Sequence, residues 1–388
     1  MTPFQTPLPF GLPRPFQALP HPREVVRQFT PNWFAVTMGT GILSLALGQV
    51  PVSTPFLRQL GECLWLFNAA LFLLFSLVYA SRWCLYGNEA RRIFAHPTVS
   101  MFLGTIPMGL ATLVNGCLQY GVPRWGAEMV SLAYGLWWVD VVMALACGVL
   151  VPYMMFTRQQ HSIEQMTAVW LLPVVAAEVA AASGALLVPH LDNPAAQLQA
   201  VITSYVLWAY SVPVALSVLV ILLLRLALHK LPHQSMAASS WLALGPVGTA
   251  ALGMLLLGSH APSVFAAQGL PAVATVAAGL GLIAGVLFWG LGAWWMILAM
   301  LITARYLREG IAFNLGWWGY TFPLGVYALT TLKLGYELHS AFFQDLGTGL
   351  VAMLVVMWAV VGCRTLKGAW RGELFVSPCI ALRCGRGE

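Results

Sequence analysis

Three ionisable side chains stand inside long apolar runs of this 388-residue chain: Asp140 in "LWWVDVVMA", Glu178 in "PVVAAEVAAASG" and Lys333 in "TTLKLGY". Charge at membrane depth is costly and is kept where it pairs, meets water or does work. Lys333 has the chemistry to attract or select a small anion; it also has Glu337 one turn on, and a stem long enough to snorkel to a surface. Glu178 would repel an anion on its path if ionised, so it reads either as a protonated group taking part in proton coupling or as a structural hydrogen-bonding residue between helices. Asp140 carries the same two readings. Thr37, Thr40, Thr105 and Thr321 offer hydroxyls to an anion or, equally, to their own helix backbones.

Other chemistries find no support. His190, His260 and His339 fall near span ends on one face, no histidine pair faces another at mid-span to hold haem, and no metal site is expected. No nucleophile and base stand together, and no glycine loop with its lysine is placed to cradle phosphate, which disfavours an ATP-driven pump. The expectation is a protein that is not an enzyme and needs no cofactor.

These residues must be positioned by membrane helices. Hydrophobic residues make up 59% of the chain and charged ones 8%, where a soluble domain carries about a quarter charged residues. At roughly 20 apolar residues per crossing, ten spans emerge: 32–50, 58–82, 98–120, 126–156, 166–189, 196–228, 237–258, 270–302, 311–336 and 341–363. Of the 19 Lys and Arg, 16 fall on the face that holds both termini, Arg58 and Arg124 on the other, and Lys333 within span nine. The positive-inside rule makes both termini cytoplasmic, in a multi-pass protein of the plasma (inner) membrane. The net charge of +6 is then a product of topology and gives no reason to expect a nucleic-acid partner. Residues 1–30 read as a Pro-rich tail without a cleavable leader, with a short helix near "REVVRQF", 31–366 as one transport domain, and 367–388 as a basic tail. Cys63, Cys84, Cys117, Cys147 and Cys363 lie in apolar runs and, with Cys379 and Cys384, form neither a zinc spacing nor a disulfide framework.

The odd spans share a centre. "GTIPMG", "WLLPVV", "ALGPVG" and "YTFPLG" place Pro107, Pro173, Pro246 and Pro323 at intervals of 66, 73 and 77 residues, while "VTMGTG" has Gly39 and Gly41 instead. A fixed period marks a repeat fold, here five helical hairpins. Proline inside a helix kinks it and frees carbonyls, which hydrocarbon tolerates only where protein or water covers them. Recurrence at matching positions points to odd helices surrounding a shared path. Gly-rich span eight reads as a close-packing helix.

The segments "FTPNWFAVTMGTGILSLAL", "HPTVSMFLGTIPMGLATLVNG", "HSIEQMTAVWLLPVVAAEVAAASG" and "NLGWWGYTFPLGVYALTTL" resemble the tellurite-resistance/dicarboxylate transporter family, over about residues 29–365. That family includes tellurite-resistance proteins, malate permeases, sulfite pumps and plant slow-type anion channels. The resemblance implies an all-α integral membrane fold: ten helices in five hairpins, a quasi-fivefold ring, and odd helices lining a central pore. It assigns the pore gate to Phe322, which the residues alone leave as core packing. Lys333, eleven residues later, returns to nearly the same helical face and would stand above Phe322 towards the outside. The resemblance also implies a homotrimer with one pore per subunit. The leading expectation is transport of a small anion, a four-carbon dicarboxylate such as malate first, with sulfite, chloride or nitrate as alternatives. A membrane-embedded oxidoreductase and a scaffold or receptor stay as readings from other classes.

Overall fold

The computed structural model describes residues 15–51 and 54–381, and every regular element among them is helical. The segment 1–14 and the basic residues Arg383 and Arg386 lie outside the described residues. Ten long helices follow in order: α1 (Phe34–Leu47), α2 (Pro55–Leu85), α3 (Thr105–Gly116), α4 (Ala127–Thr157), α5 (Leu172–Leu187), α6 (Pro194–His229), α7 (Leu244–Ala267), α8 (Pro271–Glu309), α9 (Phe322–Glu337) and α10 (Ala341–Arg371). Eight helical stretches are long and apolar enough to cross a membrane, α3 and α5 among them as parts of the longer stretches Val99–Trp125 and Ala168–His190; α1 and α9, with 14 and 16 residues, fall outside those eight. Three even helices, α2, α6 and α8, begin with proline in the first turn, where its missing N–H costs nothing. Thr54 and Asn193 cap α2 and α6 with their side-chain oxygens.

Each repeated proline lies just after the point where a short 3-10 or helical turn passes into α-helix, through a junction residue that keeps helical conformation. Pro107 and Pro246 are the third residues of α3 and α7, and Pro173 and Pro323 the second residues of α5 and α9. Ahead of each lies a separate short turn: the 3-10 segments Val99–Gly104, Ala168–Leu171 and Leu315–Tyr320, and the helical turn Ser239–Leu242. Proline has no N–H to give the carbonyl one turn earlier, which fits the change of helical hydrogen bonding at this level. In the first repeat the 3-10 segment Pro31–Trp33 meets α1 at Phe34, and Gly39 and Gly41 sit inside unbroken helix.

Odd and even helices have opposite surroundings. The most apolar stretch of Ala168–His190, which contains α5, is 94% buried, that of α4 only 22%. Packing runs from α1 to α3, α5, α7 and α9, and α9 returns to α1. Each even helix contacts the odd helices before and after it, and α10 contacts α1. Each even helix also sends one indole N–H to the next odd helix. Trp65 reaches Leu113 O (3.3 Å), Trp137 Ala180 O (2.8 Å), Trp208 Ala250 O (3.1 Å), Trp289 Thr331 Oγ1 (2.9 Å) and Trp358 Thr40 Oγ1 (3.0 Å). Without water to compete, each such bond ties an outer helix to the inner set at a fixed height. In α8, Gly281 lies against Gly258 of α7, where an added Cβ would strike the Gly258 backbone.

The tails meet at the end where the odd helices begin. The short helix Glu24–Arg27 is present, and Arg27 pairs with Glu89 at 2.8 Å. Helix α10 runs on to Arg371, past the position where the sequence reading began the tail.

Candidate functional site

At the C-terminal ends of the odd helices, opposite the tails, lies a cavity of about 300 Å3 to which all five odd helices contribute. Each lines it with a helical stripe. On α9 the stripe is Phe322, Val326, Leu329 and Lys333; on α7 it is Thr249, Leu252, Leu256 and His260. Spacings of three and four keep one face of a helix turned to the cavity over its length. Phe322, 3% exposed, is the first residue of α9 and the deepest member of its stripe.

Lys333 stands three turns along that stripe, so the cavity has it on the same face as Phe322. Its Nζ lies 2.7 Å from Glu337 Oε1 and 5.3 Å from the Tyr336 ring centre. Glu337 also accepts from Ser259 Oγ at 2.8 Å. Facing the cavity and pairing with Glu337 were opposed in the sequence reading, and the side chain does both.

A second cavity, of about 490 Å3, opens at the tail end and is lined by the residues leading into the odd helices, with Val376 and Pro378 from the C-terminal segment. The residue immediately before the repeated Gly or Pro is Met38 in α1, Leu172 in α5 and Phe322 in α9. Met38 and Leu172 line the tail-side cavity, and Phe322 lines the far one. The level of the helix breaks therefore divides the two.

The four threonines singled out from sequence have engaged hydroxyls. Thr37 donates to Phe34 O (2.8 Å), Thr105 to Phe102 O (2.7 Å) and to Pro31 O (2.9 Å), and Thr321 to Trp318 O (2.7 Å). Thr40 accepts from Trp358. Of these only Thr105 lines a cavity, the tail-side one. Gly39 and Gly41 are points of close approach: a Cβ would strike Thr321 and Trp318 at the first, Thr112 and Asn68 at the second. Glu178 and Asp140 are fully buried and line neither cavity. Ser211 of α6 lies beside Glu178 but donates to Val174 O at 2.8 Å, leaving both Glu178 oxygens without a hydrogen bond; those of Asp140 are likewise unpartnered among the described residues.

The sequence reading missed the polar groups that do line the far cavity: Thr112, Asn115 and Thr249, with Gln49 and Gln119 at its mouth. A signal was present. Three, six and ten residues after Gly39, Pro246 and Pro323 come Ile42, Leu45 and Gln49, then Thr249, Leu252 and Leu256, then Val326, Leu329 and Lys333, all cavity-lining. Two of the three histidines grouped by sequence, His190 and His260, also line this cavity, and His339 does not.

Comparison with known proteins agrees with this architecture. The voltage-dependent anion channel family (SLAC1) matches residues 28–366. The chain is 38% identical to the sulfite efflux pump SSU1 of Arthroderma benhamiae, over 90% of this chain and 93% of that protein. It is 26% identical to an uncharacterized transporter, MJ0576, of Methanocaldococcus jannaschii, over 91% of this chain and 96% of that one. To the malic acid transport protein of Schizosaccharomyces pombe it is 24% identical, over 87% and 77%.

Proposed function

The chain belongs to the voltage-dependent anion channel family, and on that premise we propose that it moves sulfite out of the cell across the plasma membrane, along the axis its five buried helices share. The observation that carries this reading is Phe322, a buried ring at the inner end of a cavity to which all five odd helices contribute. Phe322 is the gate between the far cavity and the tail-side one. The tail end faces the cytoplasm, since 16 of the 19 Lys and Arg belong to that face.

Favourable electrostatics come from backbone more than from charge. Helices α3, α5, α7 and α9 begin at the level of the breaks, so their positive ends gather where an anion sheds water. Thr112 and Thr249 donate to Gly109 O and Gly245 O and leave lone pairs, not protons, to the cavity. Weak sites of this kind let an ion leave as readily as it enters.

The substrate reading shifts from the dicarboxylate expected first to sulfite, the alternative. The relatives with the higher identity are named sulfite efflux pumps. The far cavity holds one lysine and no arginine. Malate presents two carboxylates a carbon chain apart and calls for two cationic contacts, whereas sulfite gathers its charge on one small group. A homotrimer of such subunits has three pathways, because each chain closes its own set of odd helices.

Flux into proteoliposomes of sulfite, malate and chloride, for wild type and Phe322→Ala, tests this. Opening the constriction should raise sulfite flux about tenfold or more, equivalent to roughly 1.4 kcal/mol off the barrier. Faster malate than sulfite transfer would move the substrate to the dicarboxylate. Silence of both proteins towards every anion would remove the transport reading.

A further inference from the structure

We propose that His190, His260 and Lys333 form a proton-loaded site for a compact oxyanion dianion at the mouth of the far cavity. The inference rests on that cavity being the anion path and adds to it a ligand class and a dependence on the acidity of the outer solution.

The three side chains come from three elements and line one cavity: His190 closes the 3-10 turn after α5, His260 is on α7 and Lys333 on α9. All three are half-buried. The charged or titratable groups within electrostatic range of His260 are Lys333, Glu337 and His190. Asp192, His339 and Asp345 also belong to this end of the molecule and are not among the residues lining the cavity.

The availability of the imidazoles is what marks the site. Among the described residues, the rings of His21, His96, His161 and His233 are hydrogen-bonded and those of His190, His229, His260 and His339 are not; of these four, His190 and His260 line this cavity. The amides at the same mouth are occupied with each other and with backbone: Gln49 Nε2 donates to Gln119 Oε1 (3.0 Å), and Gln119 Nε2 to Leu45 O (3.1 Å). The remaining donors that face the cavity are the ammonium, the two rings and the uncharged amide of Asn115.

Charge supplies the proton dependence. Lys333 is offset by Glu337 at 2.7 Å, so with neutral imidazoles the mouth has almost no net charge to offer a dianion. Each proton taken up by a histidine adds a positive charge beside the anion. Anion and proton each favour the other's binding by the same factor, so a dianion seated beside the two rings draws protons onto them. Lys333 holds the anion at every pH, and the histidines make the affinity follow acidity.

Calorimetric titration of the purified full chain with sodium sulfate, a dianion throughout this range, reads the site directly. Wild type should bind sulfate about tenfold more tightly at about pH 5 than at about pH 7.5, with proton uptake visible on changing the buffer. The His190→Gln/His260→Gln variant should keep the weaker affinity at both pH values, and each single variant should lose part of the response, which covers a double variant that does not fold. Lys333→Gln should weaken binding at both. The proposal is overturned if wild type binds no sulfate, binds it equally at the two pH values, or shares its pH response with the double variant. Sulfite flux opened by Phe322→Ala is a separate readout, so the pathway can stand when this site falls.

Discussion

The two ends of the molecule differ in what their polar groups hold. At the tail end those groups hold the chain itself. His96 Nδ1 accepts the N–H groups of Thr98 and Val99 at 3.2 Å each, and burial pushes its imidazole below the usual range. Arg82, 1% exposed at the end of α2, donates to Phe29 O (2.5 Å) and Ser377 Oγ (3.2 Å). Ser377 N–H reaches Gln28 Oε1 at 3.0 Å, and Phe375 stacks on Trp33 with ring centres 4.8 Å apart. At the far end His190 and His260 line the cavity with rings that bond no protein group, and Lys333 lines it while paired with Glu337. One end is built to bind its own termini, the other to leave side chains for a ligand, so damage at the two ends should register in different measurements.

The largest expected effect at the tail end is that of Phe375→Ala. Removing a buried ring stacked on Trp33 should cost about 3 kcal/mol and lower the melting temperature by several degrees, with sulfate affinity unchanged. A loss of affinity instead would mean that the ends are coupled and that the contrast fails. Arg82→Gln comes next, at about 2 kcal/mol, because it strands the Phe29 carbonyl in a buried place. Trp208→Phe, which removes one of the five indole bonds, should cost about 1 kcal/mol. Thermal melts of the detergent-solubilised variants rank the three, and the reverse order would say that the membrane helices depend on the indoles more than on the tails.

Much of this architecture could be read in the sequence. The proline period located the odd helices, and spans one, two, four and six fall within a few residues of their helices; α7, α8 and α10 run seven to nine residues past their spans, and spans three, five, seven and nine open six to eleven residues ahead of their α-helices because they take in the short turns before them. Hydropathy could not say which helices are inside, because α4 and the stretch holding α5 are equally apolar; a lipid-facing Leu and a core-facing Ala give the same signal. Composition says more: α5 reads "LPVVAAEVAAASGALL", small enough for helices to close on it from all sides. The prolines marked the level at which the short turns pass into the α-helices of the odd set. Threonines near the breaks drew attention by position alone, yet a hydroxyl within reach of its own carbonyl bonds it. The tryptophans went unread although Trp65, Trp137, Trp208, Trp289 and Trp358 recur about once per hairpin. Their meaning depends on the neighbouring helix, which sequence order does not place.

The smallest effect sharpens the contrast by its pH dependence. Arg27 grips Glu89 through Nε and Nη2, both at 2.8 Å, joining the N-terminal segment to the loop after α2. This hydrogen bonding holds the Glu89 carboxyl below its ordinary range. A carboxylate depressed in the folded state stabilises above its unfolded value, about 4.3, and loses that contribution as pH falls through the folded value. Both partners are partly exposed, so screening keeps the pair to roughly 0.5 kcal/mol. Glu89→Gln should therefore melt slightly below wild type at neutral pH, and the gap should shrink as pH falls below about 4.3 and vanish below the depressed folded value. The far-end histidines respond in the opposite sense, since acid strengthens their hold on an anion. A melt of wild type and Glu89→Gln across pH, set beside the sulfate titration, separates the two: acid that loosens the tails should still tighten the mouth, and if both fade together, one titrating event governs both ends.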